Sequence, residues 1–134
     1  MDANFLCPFC RAYLNVGQKI VVTAKRRSGE LGILLLSLHL GDYDVVKHKS
    51  FDVVDGEEIK FLCPSCHKSL KAHEIHKNIN RIIMQDDEDQ EHEILFSGIY
   101  GERCTYKVRE NVVESFGEHA AKYIDFANLM KIRY

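Results

Sequence analysis

Two short stretches carry the chemistry of this chain, Cys7-Pro8-Phe9-Cys10 and Cys63-Pro64-Ser65-Cys66. Thiolate sulfur is a soft donor and a favoured ligand of zinc, which takes four ligands at the corners of a tetrahedron. Two residues between cysteines let one tight turn aim both sulfurs at a single point. Backbone N–H groups in such a turn can donate to sulfur and spread its negative charge. The proline restricts the turn and removes a competing donor. Two C-x-x-C units of this kind suit one tetrahedral metal ion, most often zinc.

With its two C-P-x-C knuckles, the chain resembles the zinc-ribbon and rubredoxin-like knuckle group, in which two such hairpins face each other across one metal. The resemblance implies that Cys7, Cys10, Cys63 and Cys66 are the four ligands of a structural site. Arg11 and His67 stand where glycine usually follows each knuckle, and the segment 11–62 is longer than the usual ribbon spacer, implying inserted β-hairpins.

Other chemistries fit parts of the same residue set. Iron also suits four thiolates, which makes a rubredoxin-like electron carrier an alternative to a zinc protein. A C-P-x-C pair can exchange thiol and disulfide, but a thioredoxin-like site expects the motif to open a helix after a strand. Here strand-like segments flank the second knuckle. His67, His73 and His76 could replace a cysteine or build a local site with Cys63 and Cys66, which would orphan the first knuckle. Their ordinary role is as exposed or hydrogen-bonded histidines. Cys104 lacks a C-x-x-C partner and reads as a small buried apolar residue.

Whatever holds the metal must be positioned by a folded domain, and the composition permits one. The chain has 134 residues, 46% hydrophobic and 28% charged, which fits a single globular domain over 1–134. Its formal charge is −2. Four thiolates add −4 and one Zn²⁺ adds +2, so the metallated chain carries −4. A neutral-to-acidic protein has no overall attraction for nucleic acid, and a protein partner is the better expectation. Nucleic-acid binding would rest on Lys25-Arg26-Arg27 and Lys47-His48-Lys49, brought to one edge by a hairpin. The first residues lack a basic region followed by a long apolar stretch, and the longest apolar run, 33–36, is far too short to span a bilayer. A reducing cytoplasm and no membrane association are therefore expected. There is no H-E-x-x-H, no deaminase pattern, no Gly-rich phosphate loop and no G-x-S-x-G. The expected function is that of a non-catalytic zinc protein serving as a protein-interaction or regulatory module.

The pattern along the chain predicts mainly β structure. Strands are expected at 18–24 and 31–40, the latter with Leu34, Leu36, Leu38 and Leu40 on one face. Residues 43–47 and 51–54 suggest one bent or two short strands, Asp55-Gly56 a hairpin turn, and 59–62 a strand entering the second knuckle. Further strands are expected over 79–108, with the acidic run 85–93 as a solvated hairpin loop. Phe116, Ala120, Tyr123, Ala127 and Met130 recur at helical spacing, and Ser115 with Glu118 fits a capping box. This predicts a C-terminal helix over about 115–130 and an α+β class. No internal repeat, linker or low-complexity segment stands out.

Overall fold

The computed structural model describes residues 3–110 and 112–123. These residues fold as ten strands in two antiparallel sheets. The strands are β1 (Asn4–Leu6), β2 (Asn15–Val16), β3 (Lys19–Lys25), β4 (Leu31–Ser37), β5 (Val45–Lys47), β6 (Lys60–Leu62), β7 (Ile79–Gln85), β8 (Glu91–Ser97), β9 (Thr105–Arg109) and β10 (Val112–Phe116). The first sheet runs β1-β7-β8-β9-β10. The second runs β2-β3-β4-β5, with β6 also paired to β3.

Alternation along the strands selects the inner faces. Ile20, Val22 and Ala24 of β3 are buried, as are Asn80, Ile82 and Met84 of β7. The main core draws on both sheets: Phe5, Ile82, Met84 and Ile94 from the first, and Ile20, Val22, Leu34 and Phe61 from the second. Opposite each other on β3 and β4 stand two small residues, Ala24 and Gly32. Phe51, only 3% exposed, packs into the space they leave.

Two halves repeat this plan, contrary to the sequence reading, which found no repeat. Lys19–Ser37 pairs through Lys25–Leu31 on β3 and β4 recur as Ile79–Ser97 through Gln85–Glu91 on β7 and β8. Leu34–Lys47 recurs as Ile94–Lys107. The short lead strands are exchanged: β1 of the first half pairs with β7, and β6 of the second half pairs with β3. Phe5 opposes Met84 as Phe61 opposes Ala24. The result is an intertwined pseudo-twofold sandwich. The repeat was hidden because the halves share pattern rather than identity, and because the turn 71–78 is longer than its counterpart 15–18.

The expected α+β class is corrected to all-β among the described residues. Ser115 does not cap a helix; it lies in β10 opposite Tyr106, and Phe116 lies opposite Thr105. Gly117 then turns at φ 97°, and only a four-residue 3-10 turn follows, Ala120–Tyr123. The physical reason is that the β-prone run 112–116 finds an open strand edge on β9, and pairing there outweighs helical periodicity. The rest of the expected helix, 124–130, lies outside the described residues. Two smaller expectations also change. Residues 51–54 form no strand, and Asp55-Gly56 makes a turn but no hairpin, because β6 pairs with β3. The acidic run closes the β7–β8 hairpin, but only 86–90 form its loop, since Gln85 belongs to β7 and 91–93 to β8; the Asp86 carboxylate accepts from the Glu88 and Gln90 N–H groups.

A Cβ added at Gly32 would sit 2.6 Å from the Phe51 ring. Gly32→Ala is therefore expected to cost about 1–3 kcal/mol in denaturant unfolding, as overpacked cores do. An unchanged midpoint would show that Phe51 does not seal this face.

Candidate metal centre

Each knuckle leaves its lead strand and returns antiparallel to it. In the first, the Cys7 N–H donates to Ala12 O at 3.0 Å, Arg11 N–H to Cys7 O at 3.0 Å, and Leu14 N–H to Phe5 O at 2.6 Å. In the second, Cys63 N–H donates to Lys68 O at 3.0 Å, His67 N–H to Cys63 O at 2.9 Å, and Leu70 N–H to Phe61 O at 2.9 Å. Bond for bond, the second knuckle copies the first. Arg11 and His67 adopt φ values of 64° and 67°. This is the left-handed region where glycine costs least, so the turn geometry survives without glycine at either place.

Strand exchange brings the two knuckles together. Cys7 Sγ lies 3.8 Å from Cys66 Sγ, and Cys10 Sγ 3.7 Å from Cys63 Sγ. All four sulfurs lie within 4.8 Å of one another. Four sulfurs about 2.3 Å from a central ion in a tetrahedron stand about 3.8 Å apart, as these two pairs do, so the four cysteines could hold one metal ion. The same separations are far beyond a disulfide bond of about 2.05 Å. Both short contacts cross between the knuckles rather than closing within a C-x-x-C pair.

Backbone dipoles already point at this site. Phe9 N–H donates to Cys7 Sγ at 3.3 Å, while Ser65 and Cys66 N–H donate to Cys63 Sγ at 3.3 and 3.4 Å. Burial pushes the Cys7 thiol up to about 12. The exposed Cys10 thiol is instead lowered to about 7, chiefly by the Ala12 N–H. A bound divalent cation overrides burial by stabilising the thiolate directly. Outside the sulfurs, Lys68 Nζ sits 5.2 Å above the Phe9 ring, tying one knuckle to the other. Arg11 forms a two-pronged pair with Glu91, anchoring the first knuckle to β8. Sequence reading missed these contacts; the one signal, for the second, was Arg11 in the place where glycine usually follows a knuckle.

The other candidates lie elsewhere. His67 and His73 are exposed, and His76 Nδ1 accepts the Asn78 N–H at 3.0 Å. None belongs to the four-residue cluster. Cys104 is 1% exposed in a separate apolar cluster with Leu95 and Tyr106, as expected of a buried cysteine. The basic segments are partly committed within the fold. Arg26 grips Glu57 at 2.7 and 3.1 Å and Glu30 at 2.9 Å, while Lys47 Nζ donates to Phe51 O at 2.8 Å. A cleft of about 520 Å³ opens between the sheets near Ser37 and Ser97. Of the carboxylates that line it, Asp42 and Glu102 are engaged by the Asp44 N–H and the Ser97 hydroxyl respectively. Among the described residues, no helix is long and apolar enough to cross a membrane. No protein-family model, curated protein or solved structure matches this chain.

Two outcomes follow from this geometry. In metal-free protein at pH 7, Cys10 is expected to be alkylated well before Cys7, because the lowered thiol is substantially ionised and the raised one is not. Peptide mapping after iodoacetamide treatment reads this order, and equal labelling would contradict it. His67→Gly is expected to leave metal content unchanged. It should hold or slightly raise the unfolding midpoint, since relief of about 1 kcal/mol of left-handed strain is partly offset by glycine's entropy. Loss of metal in this variant would make His67 a ligand.

Proposed function

We propose that this chain is a non-catalytic zinc protein in which a structural Cys₄ site clasps two exchanged halves, and that the clasped sandwich serves as a protein-interaction module. The observation that carries the reading is the clustering of the four sulfurs within 4.8 Å, with two contacts of 3.7 and 3.8 Å across the knuckles and one cysteine pair drawn from each half. A shell of four thiolates is closed, leaving no position for the water that a catalytic zinc activates. Iron fits the same donors, and zinc is preferred as the usual occupant of paired knuckles.

A metal held by both halves contributes its binding energy to folding, because the site exists only when the strand exchange is complete. Protein purified from zinc-replete cells is expected to hold about one zinc per chain by elemental analysis. Iron in its place would shift the reading to electron transfer. Cys63→Ser should abolish metal retention. Cys104→Ser should keep the metal, because Cys104 lies outside the sulfur cluster. Equal zinc loss in both variants, or a metal-free chain with the same thermal stability as the loaded one, would overturn the clasp.

A further inference from the structure

The two sheets have nearly the same register but very different outer faces. On the first sheet, Leu95 and Tyr106 point outward and are each 2% exposed. They are covered by Ala72 and Ile75 from the long turn 71–78 and by Ala120 after β10, forming a second apolar cluster. The fold thus shows how an apolar outer face is closed: a short turn and a terminal segment lie across the strands.

Among the described residues, the second sheet has no such cover. By register, Leu35 and Val46 occupy the places of Leu95 and Tyr106. Val46 is 48% exposed, Ile33 49% and Leu31 61%. The pairs Leu62–Thr23–Ile33 and Val21–Leu35–Val46 place these side chains in two adjoining rows on one face. The counterpart turn 15–18 is shorter than 71–78, and Val16 within it is itself exposed.

Charge indicates what covers this face. Lys25 and Lys60 stand directly opposite each other at one end of the rows, and Lys19 lies at the other. Like charges directly opposite on a sheet repel. The matching pair on the first sheet is neutral, Asn4 with Gln85. Among the described residues, no carboxylate lies within ion-pair distance of Lys19, Lys25 or Lys60. A second copy docked face to face about a twofold axis would oppose basic surface with basic surface. An acidic partner neutralises the lysines while apolar side chains cover the rows.

We propose that the outer face of β6-β3-β4-β5 docks a short segment of another protein that combines apolar with acidic side chains, lying across the strands as residues 72–76 and 120 lie across the sister sheet. The assignment rests on the protein-interaction reading and names its surface and its partner's chemistry.

The test is selection of random twelve-residue peptides, displayed on phage, against the zinc-loaded full chain. Enriched peptides are expected to combine Asp or Glu with Leu, Ile, Val or aromatic residues. They should lose about ten-fold or more in affinity for Ile33→Ser/Val46→Ser, the scale of an interface hot spot. Lys25→Glu/Lys60→Glu should weaken the same peptides and enrich basic–apolar ones instead. Zinc content and thermal midpoint, measured on every variant, separate this surface from the clasp: the assignment requires binding to fall while both stay at wild-type values. Peptides of neutral or basic composition, peptides indifferent to both double variants, or no enrichment would overturn it. So would a wild-type dimer in sedimentation that Ile33→Ser/Val46→Ser dissociates, which would give the face to a second copy.

Discussion

Reciprocal strand exchange is the constraint on which the rest depends. Each lead strand must pair with the long strand of the opposite half, β1 with β7 and β6 with β3, before the knuckles can meet. Antiparallel pairing fixes register, and a one-residue slip would turn every side chain to the wrong face. In the observed register, Phe5 and Phe61 enter the common core while Cys7 and Cys63, two residues on, follow on the same side. The sulfur cluster is thus a consequence of sheet register. A metal in it would reinforce the contact that no local interaction within either half can make.

The pseudo-symmetry is used for the inside and broken on the outside. Inner positions match closely, with Leu34 answering to Ile94 and Leu36 to Phe96, because both sheets fill one core. Outer positions diverge because only the second half carries a long turn and a terminal strand. β10 covers the edge of β9, whereas β5 ends the other sheet. Polar pairing follows the same division: Arg81 joins Glu93 and Glu74 on the outside of the first sheet, where the second sheet presents Val21 and Ile33.

Much of the local structure was legible. Alternation placed β3, β4 and β7 within a residue or a few, and the knuckles announced themselves by spacing alone. The failures share a cause. Ser115 and Phe116 open the segment read as a helix, yet they belong to β10 because an unpaired edge of β9 lies beside them. Asp55-Gly56 has hairpin chemistry, yet its flanks pair elsewhere: Gly56 N–H donates to Tyr100 O and Ile59 N–H to Gly98 O. Such choices depend on which edges the rest of the chain leaves open, and no window of sequence contains that information.

By itself, the sequence determined the four candidate donors, the coordination chemistry they suit and the β character of most segments, because spacing and side-chain alternation are local properties. Only the tertiary structure decided that the cysteine pairs converge, that the halves repeat with exchanged strands, and that, among the described residues, one outer face is covered while its counterpart is not. Those are outcomes of long-range pairing, whose partners lie up to 81 residues apart, as Asn4 and Gln85 do. The two knuckles gave the chemistry, and the exchange of strands between halves made them a single site.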